Sequence, residues 1–194
     1  MTIAIYFKVD TRAITKVLQA PDLGTFPDPD AGELAVLSEV IPSLPGWIDE
    51  QGAAHSMPER PTFHHQINWQ TKEWEDARSL DDLKAEKWES LKAERSKAEG
   101  GTFVWNGHTI DADMARLNGA ATSVMIAQAA GQSYSDVWTL ADNSTMPVTG
   151  SDILSMGLAL AAHVSACHAR GRLLRQQIEN ATTREEVDAV TWMP

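Results

Sequence analysis

The sequence predicts an α+β protein: a small N-terminal β-rich module, a charged linking helix, and a C-terminal mostly helical domain with two β-hairpins. Three observations carry this prediction. Ile3, Ile5, Phe7 and Val9 alternate with smaller or more polar residues, which is the period-2 signature of a strand. From Lys72 to Glu99 both charge signs are densely mixed, while the flanking segments are sparsely charged and acid-dominated. Beyond that stretch, Asn106-Gly107 separates two strand-like runs, and long alanine- and leucine-rich stretches follow. The parts are assigned to 1–62 (a β-rich docking module), 63–99 (connector and charged amphipathic helix) and 100–194 (helical domain with hairpins).

Taken in order, Asp10-Thr11-Arg12 is a turn and Ile14 to Leu18 a return strand. Pro21, Pro27, Pro29 and Gly32 punctuate a loop. Leu34 to Ile41 is apolar and fits a strand or a short helix, since periodicity does not separate them. Gly46 to Gly52 reads as a strand followed by a turn and Ala53 to Met57 as the return, with Phe63 to Trp74 a further strand pair. Ser79 is placed to cap a helix whose first turn holds Asp81 and Asp82. Leu80, Leu83, Trp88, Leu91, Arg95 and Ala98 form its narrow stripe, and Gly100-Gly101 ends it. Asp81/Lys84, Glu89/Lys92 and Glu94/Lys97 are acid-to-base pairs on its solvated side. The stripe suits packing onto the helix's own domain; a short coiled-coil stem joining identical chains is the sharper reading.

The Asn-Gly hairpin over 102–110 is the strongest local signal, because a type I′ turn needs positive φ at both central residues. Asp111 is expected to cap a second helix, about 112–130. Asp142-Asn143-Ser144 joins a second hairpin, with Pro147 placing its strand at an edge. Thr149 and Asp152 form a helix-start box for the longest helix, about 150–180. Its first half, Ile153 to Val164, is apolar nearly all round and is expected to form the core of this part. Thr183-Arg184-Glu185-Glu186 starts a last short helix.

Composition narrows the function. With 194 residues and 43% apolar content, a sizeable core can be buried. No apolar run is expected to reach membrane-spanning length, and MTIAIYFKVD has neither a basic n-region nor a cleavage site, so no membrane role and cytoplasmic synthesis are expected. A net charge of −11 opposes a polyanion, and Arg170, Arg172 and Arg175 make only a short basic stripe; nucleic acid is not an expected partner. A single cysteine, Cys167, excludes an internal disulfide.

No phosphate loop, dinucleotide fingerprint, nucleophile elbow or zinc helix is present. His163 and Cys167 lie one helical turn apart and suit zinc by donor type, but His168 points about 100° away from Cys167 on an ideal helix. A buried small hydrophobe is the preferred reading of Cys167. His64-His65 diverge if they lie on a strand, and capping accounts for Asp111 and Asp113 better than a catalytic pair does. No catalytic residue, metal or cofactor is assigned. Most of the seven tryptophans sit in strand-like runs or on the helix stripe. Trp88, Leu91, Arg95, Trp105 and Trp138 are therefore the candidate structural or interface anchors.

Several segments in a fixed order carry a resemblance: Trp88-Glu-Ser-Leu-Lys-Ala-Glu-Arg95, Gly100-Gly-Thr-Phe-Val-Trp-Asn-Gly107 with Ile110-Asp-Ala-Asp113, Trp138-Thr-Leu-Ala-Asp-Asn143, Ala162-His-Val164, Ala181-Thr-Thr-Arg-Glu-Glu-Val187 and Val190-Thr-Trp-Met-Pro194. From about residue 80 to 194 the chain resembles an uncharacterised domain family of bacteriophage and prophage tail-region proteins. Met193 interrupts the family's terminal Trp-Pro. Upstream, Trp47-Ile-Asp-Glu-Gln-Gly52 and Ile67-Asn-Trp-Gln-Thr-Lys-Glu-Trp-Glu-Asp76 look like the short β modules of tail-fibre accessory and assembly proteins.

The resemblance implies a non-enzymatic structural component of the tail tip or tail-fibre apparatus, made in the host cytoplasm and carried in the virion tail. The partners it implies are other tail or tail-fibre proteins, within a homo-oligomer or a larger assembly. A tail-fibre assembly chaperone absent from the virion is the alternative. A glycan- or cell-wall-degrading tail enzyme is the third class, and it predicts paired carboxylates that do not stand out here.

Overall fold

The computed structural model describes residues 2–20, 26–38 and 41–193. The loop position Pro21 and the strand-or-helix positions Glu39 and Val40 lie outside the described residues, as does Pro194. The arrangement is α+β, with a β-rich N-terminal region followed by helices and small sheets. Two compact units form, Met1–Arg78 and Ser79–Pro194. Residues 63–78 cluster with the first unit and the charged helix with the second.

In the first unit, β1 (Thr2–Lys8), β2 (Ile14–Ala20) and β3 (Glu33–Ser38) form an antiparallel sheet in the order β2-β1-β3. The segment that fitted strand or helix is thus a strand, β3. Ile3, Ile5 and Phe7 meet Ile14 and Ile48 on one face. The alternation implied a single buried face, yet Ala4 and Tyr6 on the other side are buried as well. β1 is the central strand, and the Tyr6 hydroxyl donates to the Pro27 carbonyl at 2.6 Å, so the polar end of this buried ring has a partner.

Two hairpins complete this unit: β4 (Gly46–Ile48) with β5 (Ala54–Ser56), and β6 (His65–Asn68) with β7 (Glu73–Asp76). Asp49 Oδ1 holds the first turn by accepting from the Gln51 and Ala53 amides at 3.0 and 2.7 Å. Arg12, at φ 57, donates from Nε to the Ile48 carbonyl at 2.6 Å and also bonds the Asp49 carbonyl. Gly46 is required by space, because a Cβ there would lie 2.4 Å from the His55 carbonyl oxygen.

The second unit opens with α1 (Leu80–Glu99), where Ser79 and Asp82 form a capping box. Glu89 pairs with Lys92 at 2.6 Å, whereas Lys84 donates to the Glu179 carbonyl at 3.1 Å rather than serving only the helix surface. β8 (Thr102–Trp105) pairs with β9 (His108–Asp111), and Asn106 and Gly107 take φ of 48 and 81 between them.

α2 spans Met114–Ala129, and its cap is Asp113, whose carboxylate accepts from the Arg116 amide. This corrects the expectation for Asp111, which stays in the ladder opposite Thr102. β10 (Ser135–Thr139) pairs with β11 (Thr145–Thr149). α3 (Gly150–Asn180) starts at the Thr149/Asp152 box, and α4 (Arg184–Ala189) at a Thr183/Glu186 box.

α3 organises this unit. Ile153, Met156 and Leu160 join Trp105, Val124 and Trp138 in the largest core cluster. Further along, Leu174 and Ile178 pack on Leu91 and Val190. The first half of α3 is not buried all round, however: Leu154 is 40% exposed and Leu158 74% exposed. Only one stripe of a helix can face its neighbours, and here the opposite stripe is apolar too. α3 is also long and apolar enough, by length and composition, to cross a membrane, contrary to the expectation that no segment would be. Its buried stripe and the arginines of its second half are equally the marks of a core helix in a folded unit.

Leu160→Ala is expected to lower unfolding stability by about 2–5 kcal/mol, the range for a buried Leu truncation. Leu158→Ala, on the open face, should change it by less than about 0.5 kcal/mol. Urea denaturation of the two variants checks both.

Candidate functional site

The five anchor residues separate by depth. Leu91, Trp105 and Trp138 are 2%, 6% and 3% exposed and belong to cores within the second unit. Trp105 Nε1 donates to Ser155 Oγ at 2.9 Å, and the Arg116 guanidinium lies 4.0 Å from the Trp138 ring centroid. Trp88 is half-buried against the Leu91 cluster, with Arg175 5.3 Å above its ring. Arg95 pairs with Glu99 at 3.1 Å and lies over Gly171, where a Cβ would come within 3.2 Å of Arg95 Cδ. The α1 stripe is therefore occupied by α3 and α4 of the same chain, so a polar residue at Leu91 would disturb this core directly.

The His163–Cys167 pair is real in space, with Cys167 Sγ 3.9 Å from His163 Nε2. That nitrogen also lies 2.9 Å from the Ala98 carbonyl oxygen, and His168 turns away to meet Glu99 at 3.4 Å. Burial, and then the Glu99 carboxylate, push the Cys167 thiol upward, which holds it protonated and poorly nucleophilic. Among the described residues, no three His, Cys, Asp or Glu side chains gather at metal-binding distance. In the first unit, His65 Nδ1 bonds Thr62 Oγ1 at 2.8 Å, and the His64 ring leans on Phe63 with centroids 3.7 Å apart.

Two uncharged stretches of the second unit expose apolar side chains. No Asp, Glu, Lys or Arg occurs between Arg116 and Asp136, and none between Asp152 and Arg170. These intervals cover most of α2 and the first half of α3. Their outer residues include Met125, Ile126, Leu154 and Leu158, exposed by 57%, 65%, 40% and 74%. Sequence reasoning missed this exposure because it treated apolar content as core. The available signal was the excess of apolar positions around α3 over what one buried stripe can use.

Comparison with family models matches residues 82–191 to a domain of unknown function (DUF4376). That segment is more than half of the chain. The chain belongs to the DUF4376 family, an uncharacterised phage-related domain. No curated protein matches it, and no solved structure does. The DUF4376 segment begins in the first turn of α1 and ends just after α4, so it takes in nearly all of the second unit.

The helix boxes of this DUF4376 domain give a pH test. Thr149's hydroxyl, then its amide, hold the Asp152 carboxyl below its ordinary value. A depressed folded value means that the contribution is present above the unfolded value and is lost as pH falls through the folded one. The melting temperature should therefore drop on acidification below about pH 4. Asp152→Asn should lower it at neutral pH and flatten that acid limb, as read by thermal melts across pH.

Proposed function

We propose that this DUF4376 protein is a non-enzymatic component of a bacteriophage tail, at the tail tip or fibre apparatus, acting through protein–protein contacts. The observation that carries this reading is the exposure of apolar side chains along the uncharged stretches of α2 and of α3, on a chain of net charge −11. Charge repels like-charged neighbours elsewhere, so close approach is least opposed where no charge stands. The phage-related family supplies the setting. The surface of a second tail protein, or of another copy of this chain, would bury Ile126 and Leu158.

Quantitative mass spectrometry of purified phage particles tests this. The chain is expected at a fixed stoichiometry with tail proteins. Absence from particles, with abundance in infected cells, would replace the structural role by that of an assembly chaperone. Leu158→Lys and Ile126→Lys should keep the melting temperature within a few degrees, because both positions are open. Both should deplete the chain from particles.

A further inference from the structure

Along the second unit, the C-terminal half of α1, the middle of α3 and Trp192 bound two adjoining cavities. One, of about 520 Å³, is lined by Glu94, Lys97, Ala98 and Trp192. The other, of about 260 Å³, shares Ala98 and Trp192 and adds His163, Ala166, Cys167 and Arg170. Together they form a groove with an indole wall, small apolar residues and two cations.

The cations are the unusual part. The chain has 27 acidic and 16 basic residues, so a lysine or arginine has a surplus of carboxylates to choose from. Among the described residues, neither Lys97 nor Arg170 has a carboxylate partner. Arg170 Nε is buried with no hydrogen-bond acceptor, and its guanidinium carbon lies 5.6 Å from the Trp192 ring centroid. Glu99, the acid at the end of α1, is already ion-paired to Arg95 and in contact with His168. His163 is likewise engaged with the Ala98 carbonyl. A guanidinium without a carboxylate partner favours an incoming carboxylate, because charge-assisted hydrogen bonds are the strong ones.

We propose that this groove binds an acidic peptide segment of a partner protein. A carboxylate seats on Arg170, and the neighbouring apolar side chain lies against Trp192, Ala98 and Ala166. Charge complementarity selects the occupant. Glu94 in the lining repels a second anion, so the groove accepts one carboxylate rather than a polyanion, and the net charge of −11 opposes a nucleic-acid backbone. The partner's being a protein rests on the assembly reading above; the chemistry of the groove can be tested without it.

The test is an NMR titration of the full chain with acetyl-Phe-Glu-amide and its neutral isostere acetyl-Phe-Gln-amide, following the indole N–H signals. Trp192 is identified by loss of one signal in Trp192→Phe. With the Glu peptide, the Trp192 signal should shift and saturate, while binding of the Gln peptide should be about tenfold weaker. Arg170→Gln should lose the same factor with its other indole signals in place, and Arg172→Gln, on the exposed side of α3, should bind as the parent does. Equal binding of the two peptides, or no shift at Trp192, would overturn the proposal on the parent chain alone, whatever the variants do. Failure here with the chain stoichiometric in particles removes the groove and leaves the tail role. Selective binding with the chain absent from particles removes the virion role and leaves the groove.

Discussion

Burial of one stripe of α3 is the constraint on which the second unit depends. Near its start, Ile153, Met156 and Leu160 complete the cluster that holds both hairpins and α2. Near its end, Leu174 and Ile178 receive α1 and the segment after α4. Thirty-one residues of continuous helix let one element serve two clusters that are far apart along its axis. Gly150 and Gly171 sit where a neighbour comes close, Val124 against the first and Arg95 against the second. The capping boxes at Ser79 and Thr183 set where α1 and α4 begin, and the box at Thr149 sets where α3 itself begins.

The first unit reaches order by another route. Its sheet has only three strands, so hydrophobic burial is concentrated on β1, which is covered on both faces. Backbone carbonyls at the hairpin ends are then tied down by side chains. Arg12 spans to Ile48 and Asp49, and Lys72 reaches the carbonyls of Thr11 and Trp69. Cationic side chains bonded to carbonyls take the place of the larger core that a unit this size does not build.

The distribution of charge joins structure to function. Ionic groups are dense on α1 and absent from long intervals of α2 and α3, which leaves apolar side chains open to solvent. A monomer gains nothing from Leu158 at the surface, because its own core is complete without that residue. The groove beside Trp192 is the opposite case, a place where cations outnumber their partners in an acid-rich chain.

Local chemistry was legible in the sequence. The Asn106-Gly107 turn, the Ser79 cap, the Thr149 box and the α+β order follow from short-range rules, since backbone sterics and hydrogen bonds act within a few residues. Asp111 was misjudged as a cap because two aspartates stood two positions apart, and only ladder pairing with Thr102 decides between them. Trp105, Trp138 and Leu91 were recognisable as anchors; that they anchor this chain's own core is a matter of what packs on them. Which face of an all-round apolar helix is covered, and whether Arg170 finds an acid, depend on residues distant in sequence. Periodicity records that a side chain is apolar or charged, and tertiary packing alone decides whether it has a partner.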